Sequence, residues 1–304
     1  MTKVARKKSR LLYHPATPYL LSGPSVIIIL VFLIAPMFFA FYLSTTDASL
    51  LSFASGKFSF VWLKNYTDFF QSSSFGKVVR ATLIYVVLGV SLTYFIGLLT
   101  ALLLNQNFRM KAVFRSMIIL PWIIPQVVLV LIWKWMLNPK YGIINDMLMS
   151  LGIIPSNYSW FTETASAIFV LMLVTIWKQY PLANLILLAG LKAIPTENYE
   201  AASIDGANAW QRFRYVTMPG LKYVNSVLIL LLSIWSFTNF TIIWILTKGG
   251  PVDSTATLSI YTYLNAFRFQ RMGFGAAVGV VSLLFTLIFA IAYYQVIMKK
   301  QEGL

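Results

Sequence analysis

Few residues in this chain could do chemistry, and most of those lie within or between long apolar runs. One group is WKQYPLAN, Trp177 to Asn184, which sets Lys178, Tyr180 and Asn184 among aromatic neighbours. A second is Trp235, Thr238 and Asn239, whose offsets of 0, 3 and 4 place them on one face of a helix. Amides, hydroxyls and an ammonium beside flat apolar faces suit the binding of a polar solute. They do not make a reaction centre. Lys178 has no acidic partner in any apolar run, and an uncompensated cation there is costly unless it faces a watery cavity. Pro181, three residues on, is expected to kink the helix and free carbonyls. Thr238 and Asn239 have an alternative use, bridging neighbouring helices. Lys134, between Trp133 and Trp135, reads as a snorkelling side chain in an aromatic belt, and Gly275 with Gly279 as a close helix contact.

Catalysis finds no constellation. Cysteine is absent and His14 is the only histidine, so no disulfide, zinc site or serine–histidine dyad within the apolar runs can be built. No G-x-x-x-x-G-K-[ST] occurs, so the chain has no phosphate-cradling loop of its own. No metal or cofactor is expected on it.

The elements that must position these residues are membrane helices. The chain has 304 residues, 59% hydrophobic and 11% charged, with mean hydropathy +0.75. Soluble domains carry about 25% charged residues. A spanning helix needs about 20 apolar residues. Six runs qualify, near 19–43, 79–104, 113–137, 165–188, 221–246 and 274–297. The expected fold is all-α and polytopic: a basic tail over 1–18, then one transmembrane domain over 19–304. The loops near 44–78, 138–164 and 189–220 have room for short interfacial helices but no core of their own.

Six spans put both termini on one side. That side carries 14 Lys and Arg and the other 8, with Lys134 and Lys178 inside spans. The positive-inside rule makes both termini, and the loop at 189–220, cytoplasmic. The net charge of +15 is therefore mostly topological and calls for no nucleic acid. The first apolar run, from Tyr19 to Leu43, exceeds a signal-peptide core and reads as an uncleaved span. Ion-gradient-driven transport is the rival class. Proton relays use acids or histidine within spans. All nine acids (Asp47, Asp68, Asp146, Glu163, Glu197, Glu200, Asp205, Asp253 and Glu302) fall in loops or tails, although sodium sites built from carbonyls stay open.

The cytoplasmic segment YEAASIDGANAWQRFRYVTMPG, Tyr199 to Gly220, reads as helix–turn–helix at the membrane surface. Thr196 is expected to cap the first helix, Asp205–Gly206 to stop it, Asn208 with Gln211 to cap the second, and Pro219–Gly220 to end it. Ala201, Ala202 and Gly206 leave a bare surface beside Glu200. Such a surface suits either insertion into a cleft of another protein or rest on lipid headgroups.

This segment resembles the cytoplasmic loop of ABC importer permeases: E-A-A, three residues, G, nine residues, I-x-L-P. Here Glu200-Ala201-Ala202, Gly206, Val216, Met218 and Pro219 stand at the same spacings, with Val for Ile and Met for Leu. Phe60–Phe70 (with Trp62 for the usual glycine), Phe114–Pro125, Gly190–Ala207 and Leu246–Leu258 resemble the maltose-type carbohydrate branch of that family. The resemblance covers about the last 250 residues. It implies a permease subunit in a bacterial inner membrane that pairs with a second, homologous permease. It also implies two ATPase subunits that bind ATP and Mg, an extracytoplasmic solute-binding protein, and a carbohydrate substrate. Tyr199, Glu200, Ala201, Ala202, Asp205, Gly206 and Pro219 would then form the coupling contact with an ATPase. Lys178, Tyr180, Asn184, Trp235, Thr238 and Asn239 would be the candidates for the sugar pathway.

Overall fold

The computed structural model describes residues 17–298. Lys3, Arg6, Lys7, Lys8, Arg10 and His14 of the tail, and Lys299, Lys300 and Glu302, lie outside the described residues.

The described chain is built from helices, the one extended pairing among these residues being an isolated bridge between Thr46 and Phe60. In order they are α1 (Thr17–Ser44), α2 (Leu50–Ser55), α3 (Lys64–Gln71), α4 (Ser73–Asn105), α5 (Lys111–Ile123), α6 (Gln126–Met136) and α7 (Ile143–Ser150). Then come α8 (Thr164–Ala193), α9 (Thr196–Ile204), α10 (Ala209–Gly220), α11 (Lys222–Thr238), α12 (Thr241–Leu246), α13 (Leu258–Tyr263) and α14 (Met272–Ile297). Four of them, α1, α4, α8 and α14, are long and apolar enough to cross a membrane unaided, and two bent pairs bring the number to as many as six.

Proline placement explains much of the irregularity. Pro36 and Pro219 each follow a five-residue π turn, Leu30–Ile34 and Phe213–Thr217, which widens the helix where the ring would strike the carbonyl four residues earlier. The expected third span is broken outright: α5 and α6 meet at 96°. Ile124 is extended (ψ 130°) because Pro125 disfavours a helical residue before it. The expected fifth span is also interrupted. α11 ends at Thr238, Asn239 is extended (φ −67°, ψ 122°), and α12 starts at Thr241. The side-chain oxygen of Asn239 accepts from the Ile242 N–H at 3.4 Å, so this asparagine sits at a helix end instead of on a helical face. Pro181, by contrast, stays within an unbroken α8.

The centre of the fold is the pair α4 and α8. Tyr85 Oη lies 3.1 Å from Thr175 Oγ1, and Asn184 Nδ2 donates to Thr100 Oγ1 at 2.9 Å. Residue numbers rise together along both helices, so the two run parallel. Parallel neighbours require the chain between them to cross back, which is the work of α5 and α6. A Cβ on Gly97 would lie 2.6 Å from the Ala183 Cβ, so the two backbones approach as only small residues permit. Tyr85, Leu129, Val170, Val174, Ile242 and Ile260 fill one core beside this pair, Val86, Leu98, Leu187, Leu191, Leu221 and Leu228 a second, and Phe69, Val78, Leu258 and Phe274 belong to a third. The outward faces of α1, α4 and α14 are exposed Leu, Ile, Val and Phe, the surface a bilayer requires. Gly97→Val should overpack the α4–α8 contact and cost about 1–3 kcal/mol. A lowered unfolding midpoint of the purified protein checks this, and an unchanged midpoint refutes it.

Candidate functional site

The two broken helices open onto one cavity. Its volume is about 350 Å³, and it is lined by Trp122, Gln126, Lys178, Gln179, Leu182, Trp235, Thr238, Asn239, Phe240, Thr241 and Ile242. Irregular backbone at membrane depth is tolerated where it lines a cavity or is buried in protein, and both breaks meet that condition. Among the sequence candidates, Lys178, Trp235, Thr238 and Asn239 meet at this cavity. Tyr180 and Asn184 are not among its lining residues, and Asn184 is buried against Thr100. Sequence reasoning missed Trp122, Gln126, Gln179, Phe240 and Thr241. Pro121 and Pro125, four residues apart in a presumed span, were the available signal for the first two.

Lys178 is not the unpaired cation that the sequence suggests. Its ammonium donates to the carbonyls of Pro121 at 3.1 Å, Trp122 at 2.8 Å and Ile124 at 2.7 Å. These carbonyls lie at the C-terminal end of α5, where the last turn has no intrahelical donors and the helix dipole is negative. Gln179, the next residue, carries a buried side-chain oxygen without a hydrogen-bond partner, and it lines the cavity. Buried acceptors are normally satisfied, so a donor from a ligand or water is the natural complement. Trp122, Trp235 and Phe240 supply the apolar faces. Lys134, expected to snorkel, is exposed and donates to the Ile245 carbonyl at 2.8 Å, near the end of α12.

The surface segment forms its own unit. α9 begins at Thr196 itself, with Pro195 before it and no side-chain cap, so Thr196 is the first helical residue and not the cap. Proline suits the entry because it presets φ. Gly206 takes φ +76° after the stop at Asp205. Asn208 and Gln211 form the reciprocal cap, with bonds of 2.8 and 2.9 Å. The Arg212 guanidinium donates to Ser203 Oγ at 3.3 Å, and Tyr199 Oη lies 3.0 Å from Thr217 Oγ1, which holds α9 against α10. Glu200, Ala201, Asp205 and Gly206 face outward with Ile204, which is 87% exposed. Ala202 is half-buried, and Pro219 is exposed at the bend of 67° between α10 and α11.

Residues 93–300 match the family model described as binding-protein-dependent transport system inner membrane component. The chain belongs to this family. It is 35% identical over 289 residues to the trehalose/maltose transport system permease protein MalF of Thermococcus litoralis, covering 95% of this chain and 96% of that protein. It is 32% identical over 281 residues to the sulfoquinovosyl glycerol transport system permease protein SmoG of Agrobacterium fabrum, covering 92% and 90%. Its fold is that of a crystal structure of a bacterial ABC transporter involved in import of the acidic polysaccharide alginate. The TM-score there is 0.81 at 22% identity, over 96% of this chain and 99% of that one. This family member is therefore a multi-pass membrane permease subunit and not an enzyme. A carrier driven by an ion gradient alone does not fit a family whose transport depends on a binding protein.

Asn184→Ala removes one interhelical bond, worth about 0.6 kcal/mol in a membrane protein. It should lower stability slightly and leave the apparent KM for solute unchanged. A raised KM in a transport assay would return Asn184 to the solute pathway.

Proposed function

We propose that this subunit carries a carbohydrate inward across the cytoplasmic membrane by alternating access, driven by ATP hydrolysis on separate subunits. The observation that carries the reading is the cavity at the two helix breaks: three aromatic faces beside the side chains of Gln126, Gln179, Thr238, Asn239 and Thr241. Aromatic rings stack on the C–H faces of sugars while amides and hydroxyls meet their hydroxyls. The named relatives of known cargo carry sugars or sugar glycosides, which supports the class without choosing a member of it.

The partners follow from the division of labour. The chain has no phosphate-binding loop, so ATP and Mg belong on two ATPase subunits. A second, homologous permease would complete the pathway, and an extracytoplasmic binding protein would deliver the solute. One structural relative is an alginate ABC transporter in complex with a periplasmic protein bound to alginate pentasaccharide. Both termini and the α9–α10 segment lie on the cytoplasmic side by the count of basic residues. Tyr199, Glu200, Ala201, Ala202, Asp205, Gly206 and Pro219 form the coupling contact: the alanines permit close approach, Glu200 supplies a charged tip and Gly206 the turn. Linkage then requires that nucleotide state and solute access bias the same two conformations.

Two substitutions test the two halves. A Cβ on Gly206 would meet nothing within 4 Å, and asparagine tolerates its left-handed φ, so Gly206→Asn should fold normally. It should nevertheless lose solute-stimulated ATP hydrolysis in the assembled complex, because its side chain occupies the docking surface. Wild-type stimulation in that variant would remove the coupling role from this loop. Trp235→Ala should raise the apparent KM for the transported sugar about tenfold, the equivalent of about 1.4 kcal/mol for a lost aromatic face. An unchanged KM places the sugar elsewhere.

A further inference from the structure

Lys178 occupies a position from which three parts of the molecule can be moved together. An ammonium has three donors and no acceptor. The carbonyls of Pro121, Trp122 and Ile124 take all three, at 3.1, 2.8 and 2.7 Å. No donor is left over for a solute. All three carbonyls belong to the break between α5 and α6, and the residues on either side of it, Trp122 and Gln126, are walls of the cavity.

On its other side, Lys178 is built into α8, which runs unbroken to Ala193, about 22 Å further on at 1.5 Å per residue. Two residues, Ile194 and Pro195, separate it from α9. The lower end of α8 is clamped at this point. A Cβ on Gly190 would lie 2.8 Å from the Leu221 side chain, and one on Gly220 would lie 2.7 Å from the Ile194 side chain. Close packing of this kind transmits displacement, because dense interiors resist compression. The segment at the membrane surface is thus joined through a rigid helix to the bend that shapes the cavity.

We infer that Lys178 is a positioning residue: it ties α8 to the break in the third span, so that movement of the α9–α10 segment re-aims Trp122 and Gln126, and it does not itself bind the solute. This rests on the coupling role proposed above for α9. Carbonyls freed by the break would otherwise lack a protein donor, and the ammonium would otherwise stand uncompensated, so each makes the other tolerable. Arginine could reach the same carbonyls with its several donors; methionine, of similar length, could not.

The test uses the assembled transporter in lipid nanodiscs. The chain has no native cysteine, so once any cysteines of the partner subunits are replaced, spin labels at Val113→Cys and Trp135→Cys, on residues 45% and 64% exposed, report the angle between α5 and α6. A straight helix would separate these backbone positions by about 33 Å, and the bend makes the distance shorter. In Lys178→Met the distances should broaden and lengthen, and solute-stimulated ATP hydrolysis should fall about tenfold. The KM for solute should rise only together with the lengthened distance, because Trp122 and Gln126 lose their aim, and Lys178→Arg should restore the short distance, the KM and much of the stimulation.

Unchanged distances in Lys178→Met overturn the tie, and a lengthened distance with full stimulation overturns its part in coupling. A raised KM with unchanged distances makes Lys178 a solute ligand instead. If the wild-type complex shows no solute-stimulated hydrolysis at all, the transport reading fails separately, and the spin-label distances still decide whether Lys178 holds the bend.

Discussion

The arrangement depends on one constraint: a charged group and a set of unbonded carbonyls cannot both stand alone at membrane depth. Lys178 and the end of α5 satisfy each other through three hydrogen bonds. Without the lysine, the break at Ile124–Pro125 would leave carbonyls of the last helical turn without a donor from the protein. Without the break, the ammonium would have no acceptors. The bend of 96° is thus fixed by chemistry as much as by proline geometry.

The second interruption follows the same logic with different parts. At Asn239 the helix stops. Its carbonyl accepts from Ser259 Oγ at 2.8 Å, and its side chain meets the Ile242 N–H as α12 begins. The freed backbone groups are met by side chains from the same neighbourhood. Because both breaks occur at one place, their irregular backbones border a common cavity that an uninterrupted pair of helices would have filled. A site for a polar solute within lipid needs this kind of local departure from regular helix. The parallel pair α4 and α8 supplies the rigid frame against which the departures are held, through Gly97 against Ala183 and the Tyr85–Thr175 and Thr100–Asn184 contacts.

The surface segment obeys different rules, because water is available there. Its two short helices are specified locally: a glycine at φ +76° ends the first, and a reciprocal asparagine–glutamine cap starts the second. On its first helix the exposed Ala201 and Gly206 lie beside Glu200, Asp205 and Ile204, while Tyr199 and Thr217 join the two helices. Local specification sets the shape of the segment independently of the helices attached to it.

Apolar run length determined from sequence alone that the chain is a helical membrane protein. Spacing determined the surface segment, since a glycine stop and a capping box act within four residues and need no distant partner. Lys178, Trp235, Thr238 and Asn239 stood out because polar groups in apolar runs are costly enough to demand a reason. What the residues meet was decided in three dimensions. Only the tertiary structure brought the carbonyls of residues 121–124 to Lys178, turned Asn239 from a helical face to a helix end, and sent Asn184 to Thr100. Thr196 lost its capping place to Pro195, a choice between adjacent residues that spacing leaves open. The reason is range: caps and turns are local hydrogen bonds, whereas the cavity is made where two helix breaks more than 100 residues apart in sequence meet across α8.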